Sequence, residues 1–173
     1  MHTSQYPHGS NSFYSRYVAP VLKFYKRSDH TEFYSIDGDN KRVLIPDTVR
    51  QVRRRCTIAE VNAGVTLLAA LPGYKYRMVR AKAIAIGGNV GTLTTVDILG
   101  TLSSSRKLVA FAQASLTRST VLKDGASGAA VLADGASYTA NDANTAITVG
   151  KTGGVGDTAT HVDILFEYVV EVA

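Results

Sequence analysis

Several residue types are scarce in this chain, and each scarcity excludes a class of protein. Of the 173 residues, one is cysteine and none is tryptophan. The single thiol, Cys56, excludes an intramolecular disulfide and a zinc site built from cysteines alone. A chain of this length buries roughly two thirds of its unfolded surface. It therefore forms a hydrophobic core without a disulfide or a metal.

Long apolar runs are also missing. No window approaches the roughly 18 uninterrupted apolar residues of a membrane helix. The apolar stretch 65–71 contains a threonine and is followed by Pro72 and Gly73. The polar segment 1–8 lacks the basic and then apolar order of a signal peptide. We therefore expect a protein without a membrane segment, made in a cytoplasm.

The sequence contains no arrangement typical of a catalytic or metal site. There is no Gly-x-Ser-x-Gly motif, and the four histidines show no ligand spacing. The acidic loop 37–40 has Thr48 where a calcium-binding loop places its closing glutamate. Cys56 follows three arginines, which would favour its thiolate, but a buried and inert thiol is the favoured interpretation. We expect no enzyme activity, no cofactor, no metal and no small-molecule substrate.

The basic residues, by contrast, are concentrated at one end. Residues 1–55 hold ten Lys or Arg against five Asp or Glu, whereas residues 56–173 hold nine of each. The whole net charge of +5 therefore belongs to the first third of the chain. Eight of the 14 aromatic residues lie in the same third, with no persistent period of 2 or 3.6.

The charge and the aromatic content of this first third predict an extended arm, residues 1–55, that places aromatic anchors on another surface. The alternative is that these aromatic residues pack back onto the chain's own domain. Within the arm, residues 46–55 fit either a short capped helix or a strand. The arginines at its end suit an acidic protein surface better than a nucleic acid, because five acids dilute the region. The predicted partner-binding residues are Phe13, Tyr14, Tyr17, Phe24, Tyr25, Phe33, Tyr34, Arg50, Arg53, Arg54 and Arg55.

The remaining residues, 56–173, have the pattern of an all-β domain. Short runs that favour strands alternate with Gly, Pro-Gly and Asp-Gly turn signals. Such spacing is typical of an antiparallel sandwich or barrel. The predicted strands are 57–63, 65–71, 74–86, 93–99, 108–116, 119–122, 129–132, 146–149 and 158–172.

The last of these strands shows the clearest alternation. One set of alternate residues is apolar, and the other carries most of the charges. A period of two assigns the apolar set to the core face of a central strand. The predicted core set is Val162, Ile164, Phe166, Tyr168 and Val170, and the outward set is His161, Asp163, Leu165, Glu167, Val169 and Glu171.

Four segments resemble those of small structural proteins of tailed-phage virions. They are 71–77 (LPGYKYR), 96–101 (VDILGT), 131–137 (VLADGAS) and 159–165 (ATHVDIL). The chain is similar in this respect to head decoration, or cement, proteins and other auxiliary capsid proteins, over roughly residues 60–173. The resemblance implies a β-sandwich or jelly-roll domain, often a trimer, that clamps neighbouring capsid subunits. It carries no motif for the arm.

We therefore expect a structural virion protein on the capsid surface, assembled in the host cytoplasm. Its expected partners are the major capsid protein and copies of itself, with a trimer favoured. One alternative is a jelly-roll coat protein whose basic arm contacts nucleic acid. Another is a tail or fibre module that binds the host surface, which the absence of tryptophan disfavours.

Overall fold

Runs of β-branched and apolar residues, each ended by a turn, fold into antiparallel strands throughout the chain. The computed structural model describes residues 13–18, 21–26, 32–37, 42–45, 48–100, 106–131 and 141–173. The chain divides into two compact units, Met1–Thr48 and Val49–Ala173. In chain order the elements are β1 (Phe13–Val18), β2 (Val21–Lys26), β3 (Glu32–Asp37), β4 (Arg42–Leu44), β5 (Arg50–Thr57), α1 (Ile58–Ala63), β6 (Val65–Leu68), β7 (Tyr74–Ile86), β8 (Leu93–Gly100), β9 (Arg106–Ala112), β10 (Leu122–Lys123), β11 (Ala129–Ala130), β12 (Ile147–Gly153) and β13 (His161–Val172).

The first unit contains a four-stranded antiparallel sheet in the order β1-β2-β3-β4. Tyr14 on β1 lies opposite Tyr25 on β2, and Phe24 lies opposite Tyr34 on β3. The sequence predicted an extended arm here, whereas the described strands hydrogen-bond to one another. The aperiodic aromatic pattern gave no signal for this pairing, because register between neighbouring strands is a property of the backbone ladder.

The second unit is an antiparallel β-sandwich, which confirms the all-β prediction. Sheet 1 has the order β10-β7-β13-β5, and sheet 2 has the order β11-β9-β8-β12-β6. Each neighbouring pair in both sheets is antiparallel. The strand β13 lies between β5 and β7, as expected for a long central strand.

The core side of β13 follows the predicted alternation. Its predicted core set, from Val162 to Val170, is buried, with at most 8% of each residue exposed. Phe166 is fully buried and stacks on Tyr168 with ring centroids 6.0 Å apart. Val169, predicted to face outward, is also buried, while its neighbours Tyr168 and Val170 keep the predicted core side. The register against β7 shifts between Glu167 and Tyr168, which leaves Val79 as the extra residue of a bulge on β7.

The predicted strand 57–63 is wrong, because Thr57 ends β5 and residues 58–63 form the helix α1. Thr57 accepts a hydrogen bond from the backbone N–H of Glu60, and the Glu60 carboxylate accepts one from the backbone N–H of Thr57. This reciprocal pair is a capping box, which starts a helix by satisfying two free N–H groups. Gly64, with a φ of +85°, ends it.

The two units meet in sequence between Thr48 and Val49, earlier than the boundary drawn at residues 55 and 56. The strand β5 pairs along its whole length with β13, from Arg50 opposite Tyr168 to Thr57 opposite His161. The open choice between helix and strand for residues 46–55 is therefore resolved as a strand from Arg50 onward. The arginine cluster belongs to the sandwich and forms the edge of sheet 1.

Candidate protein-binding face

The outward side of sheet 1 carries the candidate site. Antiparallel register places Leu165 on β13 directly between Arg53 on β5 and Lys82 on β7. Ile84 lies two residues further along β7 on the same side, and Val121 immediately precedes β10, the next strand of the sheet. We call these five residues, Arg53, Lys82, Ile84, Val121 and Leu165, the basic–apolar face.

The basic–apolar face borders an open groove of about 740 Å³. Val121 is 49% exposed, and Ile84 and Leu165 are half-buried. The groove is also lined by Asp163, and none of the described residues that line it is aromatic. Exposed apolar residues bordered by cations are typical of a surface that binds another macromolecule.

An ion pair crosses one end of the groove. The Arg55 guanidinium donates two hydrogen bonds of 2.7 Å to the two carboxylate oxygens of Asp163. These hydrogen bonds, more than the simple attraction of the charges, lower the pKa of Asp163 and raise the pKa of Arg55. Both side chains therefore stay charged together and neutralise each other.

Arg53 and Lys82, in contrast, are not paired with a carboxylate of the described residues. In the part of the chain that the structure describes, neither side chain makes an ion pair or a hydrogen bond. They stand on either side of Leu165. The face thus presents an apolar centre between two positive charges.

The Arg54 guanidinium is directed away from this face and hydrogen-bonds to two neighbouring elements at one corner of the sandwich. It donates to the Glu60 carboxylate at 2.9 Å and to the Thr66 carbonyl oxygen at 2.7 Å. The hydrogen bond from the Thr57 backbone, followed by that from Arg54, lowers the pKa of Glu60. Arg54 therefore joins β5 to α1 and β6, and we call Arg54, Thr57, Glu60 and Thr66 the corner cluster.

The thiol of Cys56 lies in the core rather than at a reactive surface. It is fully buried, and burial raises the pKa of the thiol although the Arg54 charge acts in the opposite direction. Because the thiolate is the nucleophile, a raised pKa at neutral pH leaves the group inert. The inert thiol favoured from the sequence agrees with this placement.

The structure separates the residues that the sequence grouped as one partner-binding set. Arg53 and Arg55 point outward, Arg54 belongs to the corner cluster, and Arg50 is half-buried beside Tyr168. The seven aromatic residues lie on strands of the first unit, and their side chains fall outside the described part of the chain. They are Phe13, Tyr14 and Tyr17 on β1, Phe24 and Tyr25 on β2, and Phe33 and Tyr34 on β3.

Sequence reasoning missed Lys82, Ile84, Val121 and Leu165 as members of the site. One signal for them existed in β13, where Leu165 is an apolar residue within the outward set of charged residues. An apolar residue in the middle of a charged row indicates an apolar spot on the outward side of the sheet. The cross-strand neighbours of Leu165 could be identified only from the register of the strands, which the sequence pattern does not indicate.

Two further features bear on the class of site. Within the described ranges, no group of three or more His, Cys, Asp or Glu residues is arranged to hold a metal ion. The described residues contain no helix long and apolar enough to cross a lipid bilayer, and α1 has only six residues.

Comparison with known proteins gives no relative for this chain. A scan against protein-family models, a search of curated proteins and a search of solved structures each returned no match.

Proposed function

We propose that this chain is a structural virion protein that binds the capsid surface and stabilises it by bridging neighbouring major capsid subunits. The observation that carries the proposal is the basic–apolar face, in which the half-buried Leu165 lies between two cations that make no ion pair among the described residues. A capsid repeats one contact many times, so modest affinity at each copy adds up to strong attachment.

The strand order supports a jelly-roll form of the sandwich. A jelly roll is a long antiparallel hairpin of four strand pairs, wound so that the pairs divide between two sheets. Here the nested pairs are β5 with β13, β6 with β12, β7 with β10, and β8 with β9. The first and third pairs lie in sheet 1, and the second and fourth lie in sheet 2. Viral capsid domains use this architecture, although fold alone does not specify function.

The sheet edges support the homo-oligomer, with a trimer favoured, as part of the same proposal. The strands β5 and β6 are the last in sheet 1 and sheet 2 and have one strand neighbour each among the described residues. Edge strands carry unpaired backbone groups, which proteins cover by assembly or protect with charge. The four arginines of β5 provide charge, and contact with another subunit would complete the protection.

The first unit is the second proposed contact. Its seven aromatic residues are the anchors that the sequence indicates, and three short antiparallel strands carry them. Aromatic residues dominate the binding energy of many interfaces. A full-length variant with serine at Tyr14, Tyr17, Phe24 and Tyr25 should bind capsids less tightly. Unchanged occupancy would remove the first unit from the proposal.

A sedimentation experiment tests the function as a whole. The purified full chain is mixed with capsids of the encoding virus that lack this protein, and the mixture is run through a sucrose gradient. We expect the chain to move with the capsids at a fixed number of copies for each particle. A chain that stays at the top of the gradient over a range of capsid concentrations would show that it does not decorate the particle.

A further inference from the structure

We propose that the basic–apolar face recognises an acidic protein surface on which an apolar side chain lies between two carboxylates. The proposal rests on the proposed function, because it specifies the chemistry of the capsid contact. It is carried by the row Arg53–Leu165–Lys82, whose order across three adjacent strands is fixed by their register.

The spacing of this row sets the geometry of the partner. Neighbouring strands lie about 4.8 Å apart, so the backbones of Arg53 and Lys82 are roughly 10 Å apart. Leu165 stands midway between them. A partner whose apolar side chain covers Leu165 therefore brings a carboxylate to each cation when its acids flank that side chain at a similar spacing.

The uncompensated charges explain why the partner should be acidic. The Arg55–Asp163 pair already satisfies both of its members, with two hydrogen bonds of 2.7 Å. Arg53 and Lys82 have no such partner in the described residues, so each can pair with an approaching carboxylate without breaking an existing ion pair. Covering Leu165, Ile84 and Val121 removes water from the groove and strengthens these contacts.

The same face is poorly suited to nucleic acid. The two carboxylates beside Leu165, Asp163 and Glu167, already face Arg55 and Arg80 and oppose phosphates and carboxylates alike. What disfavours nucleic acid is the apolar part of the face, because no described residue that lines the groove offers an aromatic ring on which a base could stack. An acidic protein suits the face better, because its apolar side chain can cover Ile84 and Val121.

A second copy of the same face is also a poor partner. In a two-fold contact the same patch meets itself, and its own carboxylates already face arginines: Asp163 is paired with Arg55, and Glu167 lies 3.9 Å from Arg80. The cations Arg53 and Lys82 of the two copies would therefore be brought together without an additional anion between them. Like charges brought together at an interface cost several kcal/mol. The complementary acids must therefore come from a different surface.

Charge reversal in the full chain tests the proposal. Arg53→Glu and Lys82→Glu are each compared with Arg118→Glu, which makes the same charge change at an exposed loop position. Leu165→Ala is compared with Val155→Ala, whose side chain is 57% exposed outside this face. We expect each of the three face variants to weaken capsid binding about 10-fold, a change of about 1.4 kcal/mol. Both controls should bind as the unmodified chain does.

The outcomes separate this proposal from the proposed function. Tight capsid binding that is equally insensitive to face and control variants would overturn the acidic contact and leave decoration intact. Loss of binding for Arg118→Glu as large as for Arg53→Glu would mean that only net charge matters, which also overturns it. Absence of capsid binding by the unmodified chain would overturn the proposed function itself.

A titration without capsids tests the face directly. The ¹⁵N-labelled full chain is titrated with a synthetic Glu-Gly-Leu-Gly-Glu peptide, with the matching Lys-Gly-Leu-Gly-Lys peptide, and with a DNA duplex. Amide shifts at Arg53, Lys82 and Leu165 with the acidic peptide alone would support the proposal. Shifts with DNA alone, with both peptides equally, or with neither would contradict it.

Discussion

The two sides of sheet 1 come from the same strands and have opposite chemistry. The inward side is closed, and residues such as Phe166 and Val162 are fully buried. The outward side places Leu165 and Ile84 among Arg53, Lys82 and the Arg55–Asp163 pair. The inner side buries its apolar surface within the molecule, whereas Leu165, Ile84, Arg53 and Lys82 on the outer side stay partly or fully exposed among the described residues. The inner side therefore serves folding, and the outer side is the surface to which the proposed binding applies.

The arginine run illustrates the same difference within three consecutive residues. Alternate residues of a strand point to opposite sides, so Arg54 faces the corner cluster while Arg53 and Arg55 face outward. Arg54 stabilises the junction of β5, α1 and β6, and Arg53 is available to a partner. Residues that look equivalent in sequence therefore have separate roles.

Substitution of two neighbouring residues on β13 gives the sharpest test of this comparison. Phe166→Ala should lower the free energy of unfolding by about 3 to 5 kcal/mol, because it leaves a cavity in the core. Leu165→Ala should lower it by less than about 1 kcal/mol, because that side chain is already partly exposed. Urea unfolding followed by circular dichroism measures both. Similar losses for the two variants would mean that the outward side is part of the folding core.

Substitution of the arginines of β5 should change the free energy of unfolding by a smaller amount. Arg54→Met should destabilise the protein by about 1 kcal/mol, because two hydrogen bonds at a partly exposed corner are lost. Arg53→Met should change the unfolding free energy by no more than about 0.5 kcal/mol. The same urea experiment compares them. A larger loss for Arg53 than for Arg54 would contradict the assignment of the two roles.

The smallest change in stability is expected when acid protonates the Asp163 carboxylate. The pKa of Asp163 is lower in the folded state than its unfolded value of about 3.9, so its contribution to stability is present above that pH. The contribution is lost as the pH falls through the lowered pKa. Melting temperatures measured from pH 5 to pH 2 should therefore fall less steeply for Asp163→Asn than for the unmodified chain.

Asp142→Asn is the control for this acid experiment. It removes an exposed carboxylate that has no cation partner in the described residues. Its melting curve should keep the steepness of the unmodified chain. Equal flattening in the two variants would show that total charge, and not the Arg55–Asp163 contact, sets the acid response.

Much of the fold could be predicted from the sequence because its strands have a strong period of two. The strand predicted over residues 74–86 matches β7, and the predicted core set of β13 is buried. The helix α1 was missed because its apolar and β-branched residues resemble a strand, although Thr57 and Glu60 have the spacing of a capping box. The candidate site could not be predicted in the same way, because it is assembled by the register of β5, β13 and β7. That register brings together residues far apart in sequence, and Lys82 and Leu165, for example, are more than 80 positions apart.

The position of β13 also determines when sheet 1 can form. β13 is the last of the described strands to be synthesised, and it is the central neighbour of both β5 and β7. The Arg55–Asp163 contact joins residues 108 positions apart. The strand β5 can therefore pair with β13 only after most of the chain has been synthesised. The corner cluster closes over at most 12 positions and can form first. Until β13 is paired with β5, the arginines of β5 place positive charge on an unpaired strand, and such charge disfavours aggregation through a strand edge.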